Sequence, residues 1–566
     1  MHKKNFTEQV SRLIINNMDI ILTFKGGKTV QVQAGTLIQD ILPYFDVNKD
    51  KILAVRVDNE ICSLSQALET NAELEPVLTG TTDGASIYRR TLCFVLDVAA
   101  HKLFPTSRLL VGHSLGYGYY YTFADRDSIS KEDIEKLQHE MECIITADSI
   151  INQVKVSYKD AVSILEKQKM PETRRLLDYQ AKPIIRLNSL NGFYDIYVAP
   201  LLHSTGLLKV FDLMPYENGF LLRFPASFDP DSLPEFQDNK KLFNIYKRYK
   251  EWGRRQNVTT AAALNDLVYR RKTKDFINIC ETFLNKNIAD IADKIDQKGG
   301  VKVALLAGPS SSGKTTTSKK LAIQLKVLGY NPHVISLDNY YLGREKTPRD
   351  ANGDYDYECL EALDVQQLND NLVELFKGKT IQVPSYDFRE GKQYFTGETL
   401  TMNEKDILIM EGIHGLNDKL TPLVPAENKF KVYLSALTQL NLDDHNRIST
   451  SDNRLIRRIV RDSQFRGKSA ADTIKMWPSV QRGEKLHIFP FQQNADAVLN
   501  TAMDYELAVL KIYASPLLRC VTPCQREYSE ASRLLNFLSN FYEIAPTYVP
   551  GQSIIREFIG GSEFKY

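Results

Sequence analysis

The sequence predicts a multidomain protein in which an α/β domain with a parallel sheet follows two smaller domains that contain both helices and strands. Its 566 residues are too many for one hydrophobic core, because single cores stop growing at about 250–300 residues. From residue 301 onward, apolar strand-like runs alternate with helical segments, which is typical of a parallel sheet. Before residue 227, short alternating strands and amphipathic helices follow one another without that order.

Composition indicates an ordinary globular protein. Hydrophobic residues make up 43% and charged residues 25%, which is usual for soluble domains. The 71 basic and 70 acidic residues nearly cancel, so no bulk field attracts nucleic acid or an anionic membrane. The seven cysteines form no CxxC pair, which favours reduced thiols over a zinc site. No signal-like or membrane-length apolar run is present, so we expect a cytoplasmic protein without membrane contact.

The first domain, predicted over residues 1–80, reads as a small β-grasp-like unit. Residues 20–24 and 29–34 alternate in polarity around a Lys-Gly-Gly-Lys turn, which predicts a β-hairpin. A short helix over residues 36–44 and a strand over residues 52–57 complete the predicted unit.

The second domain is predicted over residues 81–226 and is followed by a helical connector over residues 227–300. Residues 87–105 have apolar positions at helical spacing and end at a proline. Residues 130–147 predict a second amphipathic helix, for which Ser130 and Asp133 form a capping box. Short strands follow over residues 184–226, and residues 264–297 read as the helical connector, which ends at Gly299-Gly300.

The α/β domain is predicted over residues 301–518. Its strands are expected at residues 301–307, 333–337, 407–410 and 431–434, with a helix that begins at Lys314. Residues 519–566 form a C-terminal extension, whose stretch SIIREFIGGS (553–562) we expect to dock onto the α/β core.

A phosphate-binding loop lies between the first of these strands and its helix. Residues 308–315 read GPSSSGKT and match GxxxxGK[ST] in the required strand–loop–helix context. Loop amides and the helix N-terminus attract phosphate, Lys314 bridges the β- and γ-phosphates, and the Thr315 hydroxyl ligates Mg²⁺. The sequence therefore predicts ATP and Mg²⁺ as ligands. The residues predicted to hold them are Gly308, Ser310, Ser311, Ser312, Gly313, Lys314, Thr315 and Thr316.

Two acidic residues end strands beside this loop. Asp338 follows the strand at 333–337, in the crevice where α/β sheets bind ligands. It can accept the proton of a hydroxyl that attacks the γ-phosphate. Glu411 ends the strand at 407–410 and is predicted to hold Mg²⁺ through water. This pair favours an enzyme that transfers phosphate to an alcohol.

A run of arginines follows in the sequence. Arg454, Arg458 and Arg461 are spaced by four and three residues, so they can share one face of a helix. Guanidiniums over a phosphate crevice stabilise the charge that spreads over the transferred group. We therefore expect this helix to border the phosphate site.

Taken together, these segments resemble the uridine kinase family, which is close to phosphoribulokinase. The resemblance implies a five-stranded P-loop fold with a mobile lid, Asp338 as the catalytic base, and Arg461, Arg466 and Lys468 as lid groups on the phosphates. The segments that carry it are GPSSSGKT, SLDNYY, YDY…EALD (355–364), VPSYDF (383–388), MEGI (410–413) and RRIVRDSQFRGK (457–468).

The same resemblance implies an acceptor site for a nucleoside. Tyr341 lines it, Asp356 and Arg458 hold the ribose hydroxyls, and Tyr386 contacts the base. Family members with Y-D-F usually carry a pyrimidine-contacting histidine three residues after the Phe, where this chain has Gly391. The preferred base therefore stays open.

The N-terminal half resembles another family. Residues 18–80 are similar to a TGS domain, and residues 83–225 are similar to the editing domain of threonyl-tRNA synthetase, notably GHSLGYGYYYTF (112–123). The R-H-S-x-x-H stretch of that domain reads RRTLCF (89–94) here, and its D-x-C-x-x-x-H stretch reads DIYVAPL (195–201). The histidines and the cysteine that could activate water are absent. The scaffold is expected to remain without its hydrolytic chemistry.

Three functional hypotheses follow. The first is a nucleoside kinase of nucleoside salvage, a transferase that converts ATP and a nucleoside into ADP and the 5′-monophosphate, with uridine or cytidine favoured. The second is an RNA-linked regulatory NTPase whose synthetase-like half binds tRNA, which the near-zero net charge disfavours. The third is a phosphoribulokinase-like sugar kinase. Homo-oligomer formation stays open.

Overall fold

The computed structural model describes residues 18–350, 353, 355–387 and 390–565. The predicted domain at 1–80 therefore begins outside the described residues, and the segment at 383–388 ends outside them. Within the described ranges, no helix is both long enough and apolar enough to cross a bilayer.

The N-terminal sheet is mixed and contains the predicted hairpin. Its strand order is β2-β1-β7-β4-β5, and β3 pairs with β6 beside it. The strand at 52–57 is confirmed, whereas the helix predicted over 36–44 is a 3₁₀ helix over Ile38–Tyr44 that includes Pro43, a residue without an amide donor. The strands are β1 (Asp19–Phe24), β2 (Thr29–Gln33), β3 (Thr36–Leu37), β4 (Ile52–Val57), β5 (Glu60–Cys62), β6 (Ala67–Leu68) and β7 (Ala72–Leu78).

Antiparallel sheets and helices follow, and the long helix α1 is central to their core. This helix begins five residues before the predicted start, because the Thr81 hydroxyl caps it by accepting the Gly84 amide at 3.0 Å. The sheets have the orders β13-β14-β9-β8 and β10-β11-β12. The elements are α1 (Thr82–Leu103), β8 (Leu109–Ser114), β9 (Gly118–Phe123), α2 (Lys131–Thr146), β10 (Asn152–Ser157), α3 (Tyr158–Lys167), α4 (Pro171–Gln180), β11 (Ile184–Leu190), β12 (Phe193–Asp195), β13 (Asp212–Tyr216) and β14 (Gly219–Arg223).

The predicted helical connector is divided into separate helices, and it also forms part of a core. The chain turns at Arg271, whose φ is 56°, between α6 and α7, so the helical stretch predicted over 264–297 consists of two helices. Ile288 of α7 packs into the same core as Leu325 and Ile407, which holds this helix against the α/β domain. The helices are α5 (Lys240–Gln256), α6 (Ala261–Tyr269) and α7 (Thr273–Lys298).

The predicted parallel sheet is confirmed. Its order is β16-β19-β15-β20-β21, and every adjacent pair is parallel. The carboxyl ends of its strands therefore meet at one edge, where α/β sheets bind ligands. The elements are β15 (Val303–Ala307), α8 (Lys314–Val327), β16 (Asn331–Ser336), α9 (Val365–Phe376), β17 (Ile381–Asp387), β18 (Lys392–Leu400), β19 (Asp406–Gly412), β20 (Lys429–Ser435), α10 (Thr450–Phe465), α11 (Ala470–His487) and β21 (Ala497–Asn500).

The C-terminal extension docks onto this core, as expected. Ile554, Ile555 and Phe558 are fully buried in the same cluster as the sheet residues. The extension also contacts the N-terminal sheet, where Arg526 pairs with Glu75. The helices of this part are α12 (Glu506–Arg519), α13 (Tyr528–Leu538) and α14 (Arg556–Ile559).

A buried ion pair joins the loop after β20 to the N-terminal half. His445 Nδ1 lies 2.8 Å from Asp195 Oδ2 and 4.0 Å from Asp97 Oδ2. Burial alone would lower the pKa of His445, but Asp97 and Asp195 hold that pKa well above its ordinary value. Burial raises the pKa of Asp97 to about 7, against the opposing effect of His445. Arg108 pairs with Asp444 beside this site at 2.8 Å.

Asp195→Asn should lower the unfolding temperature at pH 6 and lower it less at alkaline pH. The raised pKa of His445 means that its pair stabilises the fold fully below about pH 6.5, the unfolded value, and loses that effect as pH passes the folded value. Thermal unfolding at several pH values measures this. Asp178→Asn, in the more exposed pair with Arg174, is the control and should change little. A loss that is equal at every pH would contradict the ion-pair interpretation.

Candidate active site

The loop between β15 and α8 is held close to the neighbouring strand β20. A Cβ atom on Gly308 would lie 2.4 Å from the Leu434 carbonyl oxygen, so only glycine fits there. Gly313 has φ of 81° and Ser311 has φ of 60°, which is the left-handed region that glycine adopts most easily. These conformations form the tight wrap that a phosphate-binding loop requires.

Two buried arginines of α10 fix the carbonyl groups of this loop. Arg457 is fully buried; it donates to the Ser311 carbonyl at 3.2 Å and pairs with Glu506 at 2.6 Å. Arg454 donates to the Ser310 carbonyl at 3.1 Å and pairs with Glu484. Arg454 therefore supports the loop backbone instead of facing the phosphates, which corrects its predicted role. Sequence reasoning missed Arg457, although it lies in the same arginine run.

The predicted metal-binding residues lie side by side. Thr315 Oγ1 donates to Glu411 Oε1 at 3.0 Å, and Ser336 Oγ donates to the same oxygen at 3.3 Å. Burial raises the pKa of Glu411 to about 7, with Lys314 opposing and Asp338 reinforcing this rise. A hydroxyl and carboxylates with uncompensated negative charge are the oxygen donors that Mg²⁺ prefers. The residues present therefore fit Mg²⁺.

Asp338 lies near cations of the phosphate loop and of the C-terminal end of α10. It lies in a 3₁₀ turn, Leu337–Tyr340, directly after β16. Burial raises the pKa of Asp338, and Lys314, Arg466 and Arg461 oppose that rise through their charges. Lys314 Nζ itself lies 3.2 Å from the Gly308 carbonyl oxygen. The structure thus brings the predicted base together with the predicted phosphate-binding cations.

A wall of tyrosines lies next to Asp338. The rings of Tyr341 and Tyr386 are 5.6 Å apart, and those of Tyr341 and Tyr357 are 6.0 Å apart. The Tyr341 hydroxyl donates to the Tyr357 carbonyl at 3.0 Å. This hydrogen bond fixes the Tyr341 ring within a mostly buried aromatic cluster on the predicted acceptor side.

The acid that faces Arg458 is Glu358, which sequence reasoning did not select. Burial raises the pKa of Glu358 to about 7, opposed by Arg458 and Lys314 and reinforced by Asp338. Asp356 instead accepts the backbone amide of Glu358 at 3.0 Å. Because Asp356 is engaged by this backbone amide, Glu358 is the alternative to Asp356 as the carboxylate of the acceptor side. Glu358 lies in the same acidic stretch as Asp356, YDYECLEALD (355–364), and this was the sequence signal that could have identified it.

A single carboxylate organises the arginines of the predicted lid. Asp462 is fully buried and lies 2.7 Å from Arg461, 3.3 Å from Arg458 and 3.7 Å from Arg466. Sequence reasoning missed Asp462, because its role depends on which arginines surround it.

The remaining predicted residues are placed as follows. Arg458 also donates to Ser310 Oγ at 2.7 Å, which ties this arginine to the phosphate loop. The Ser312 carbonyl accepts the Thr501 hydroxyl at 2.6 Å. The Thr316 hydroxyl donates to Glu557 of the C-terminal extension at 2.7 Å. Lys468 Nζ lies 3.1 Å from Met476 Sδ, so this predicted lid group points along α11.

The α/β part of the chain is similar to known kinases. A family model described as "Phosphoribulokinase / Uridine kinase family" matches residues 303–508. The uridine kinase of Macrococcus caseolyticus is 31% identical over 196 residues, which cover 34% of this chain and 85% of that kinase. A solved structure titled "Structure of a Possible Uridine Kinase from Bacillus stearothermophilus" is 20% identical with a TM-score of 0.24, and the match covers 40% of this chain and 100% of that one.

The N-terminal part matches a different enzyme. The threonine–tRNA ligase of Acetivibrio thermocellus is 28% identical over 197 residues, which cover 34% of this chain. The match spans 31% of that ligase, so this chain spans only about a third of the ligase's length.

A parallel sheet, a complete phosphate loop and the match to most of a kinase lead to one conclusion: the chain belongs to the phosphoribulokinase / uridine kinase family.

Proposed function

We propose that this kinase transfers the γ-phosphate of ATP to the ribose 5′-hydroxyl of a nucleoside, with uridine or cytidine favoured. The observation that carries the proposal is the position of Asp338, whose partly buried carboxyl is within the influence of the Lys314 charge and directly beside Tyr341. An NTPase that used water would need no aromatic acceptor surface beside its base.

The residues of the cleft divide the reaction between them. The loop amides and Lys314 hold the triphosphate, and Asp338 accepts the proton of the attacking hydroxyl. The bond from that oxygen to phosphorus forms while the bond from phosphorus to the bridging oxygen of ADP breaks. Arg461 and Arg466 stabilise the charge on the transferred group. Thr315 and Glu411 would hold Mg²⁺, which neutralises phosphate charge when it is bound.

The acceptor side supports a nucleoside more than a sugar phosphate. Tyr341 and Tyr386 are buried side by side, so a base would stack on them only where a ring edge of this aromatic cluster opens on binding. The carboxyl group of Glu358, next to Arg458, can accept hydrogen bonds from ribose hydroxyls. A second phosphate on the acceptor would meet the carboxyl groups of Glu358 and Asp338, which become negatively charged as the pH rises through their raised pKa values. These charges argue against the phosphoribulokinase-like alternative.

The similarity to threonine–tRNA ligase is the observation that favours the RNA-linked alternative. However, Phe94 is fully buried and packs against Tyr197 at 5.5 Å, where the related editing domain needs polar groups. The Asp195 carboxylate forms an ion pair with His445. These contacts support a structural role for this half. Binding of tRNA that weakens steeply with salt would favour the alternative.

Lys314→Ala should abolish nucleoside-dependent ADP release, because it removes the cation that bridges the phosphates. Asp338→Asn should lower kcat by about 10²–10⁴-fold, the usual contribution of a general base. Radiolabelled ATP assayed against common nucleosides and pentose phosphates measures both effects and identifies the acceptor. Full activity in either variant, or turnover without any acceptor, would contradict the proposed function.

Glu358→Gln should raise the KM for the nucleoside by about 10-fold or more, because each hydrogen bond to a charged group contributes about 1.5–3 kcal/mol. Asp356→Asn is the matched control, two residues away, and should change this KM little. Steady-state kinetics with the nucleoside varied at saturating ATP compares them. The opposite result would restore Asp356 to the ribose role that the family resemblance implies.

Glu411→Gln should raise the Mg²⁺ concentration for half-maximal activity by about 10–100-fold, the usual cost of losing a group that orients a metal. Glu404→Gln, in an exposed position just before β19, serves as the control and should leave it unchanged. Titration of activity with Mg²⁺ at fixed ATP gives both values. An unaltered Mg²⁺ requirement in Glu411→Gln would remove this residue from the metal site.

A further inference from the structure

The last residues of the chain return to the phosphate loop. They lie outside the region that matches the kinase family, residues 303–508. Ile554, Ile555 and Phe558 are fully buried, so this segment, residues 550–565, is anchored by apolar packing. We call it the C-terminal segment.

Glu557 of the C-terminal segment binds the first turn of α8. Its Oε2 accepts the Thr316 backbone amide at 3.1 Å and the Thr316 hydroxyl at 2.7 Å. Thr316 is the third residue of α8, and the amides of a first helical turn have no acceptor within the helix. Such amides are the donors that bind phosphate at a helix N-terminus. A carboxylate of the chain itself therefore occupies donors of the phosphate site.

Neighbouring contacts place the same segment on the loop. A Cβ atom on Gly313 would lie 2.6 Å from Ile554 Cγ2, so the isoleucine packs directly on the loop glycine. Phe558 lies 5.1 Å from the Arg457 guanidinium, the group that fixes the loop carbonyls. Glu557 is also close enough for its charge to act on Glu411. The contact is thus part of a packed surface and brings negative charge to the phosphate and metal residues.

We infer that the C-terminal segment is an autoinhibitory element that competes with ATP phosphates for the Thr316 donors. The inference rests on the proposed function, because it requires that this loop bind ATP. Two anions cannot share one amide and one hydroxyl without strong repulsion in a partly buried site. Bound nucleotide must therefore displace Glu557, and any influence that releases the segment raises ATP affinity.

Glu557→Gln in the full chain tests this inference. The variant keeps the shape of the side chain but removes its charge, so a nonhydrolysable ATP analogue with Mg²⁺ should bind about 10-fold more tightly in calorimetry, the scale of one charged hydrogen bond. Glu563→Gln is the matched control, because this exposed glutamate of the same segment bonds to Gln552 at 2.9 Å. The control should bind the analogue as the wild type does.

Hydrogen exchange of the wild-type chain provides a second readout that does not depend on a variant. The analogue should slow exchange of the amides in residues 308–316 and speed exchange in residues 553–559, because the segment is displaced. Equal or weaker binding by Glu557→Gln, or slower exchange in residues 553–559, would overturn the inference and leave the proposed function intact. Failure of both wild type and variant to bind the analogue would overturn the two together.

Discussion

The site depends on the two buried guanidiniums that hold the carbonyl groups of the phosphate loop. Arg454 and Arg457 bind the Ser310 and Ser311 carbonyls. Because these carbonyls are engaged by α10, the loop keeps its wrapped form and its amides stay available for anions. Glu484 and Glu506 neutralise the arginines; without them, buried charge would cost several kcal/mol per group. The phosphate site is therefore built as much by α10 as by the loop.

A buried ion pair joins the two halves of the chain. Asp195 lies in the segment that resembles the editing motif of threonyl-tRNA synthetase, and here it pairs with His445 from the loop after β20. Aromatic packing of Phe94 and Tyr197 fills the space beside it. The retained scaffold thus supports the kinase loop. A buried imidazolium with two carboxylates is stable only while this loop stays in contact.

Charges in the cleft are arranged in opposing sets. Lys314 and the arginines around Asp462 face Asp338, Glu358 and Glu411. The pKa values of Glu358 and Glu411 are raised to about 7 by burial, because the cations compensate only in part. Oxygen donors with surplus negative charge suit a divalent cation and the hydroxyls of an acceptor. The same surplus makes the approach of Glu557 to Thr316 significant, because it adds another anion at the phosphate side.

The sequence by itself determined the parallel sheet, the phosphate loop and the strand-end acids Asp338 and Glu411. These features are local: a strand, a loop and a helix follow one another directly, and parallel strands bring their carboxyl ends to one edge. Tertiary structure alone decided the surroundings of Arg457, Glu358 and Asp462. It also decided that Glu557, far along the chain, reaches Thr316. A charged side chain acquires its function from the partners that desolvate and neutralise it, and those partners come from segments that only folding brings together.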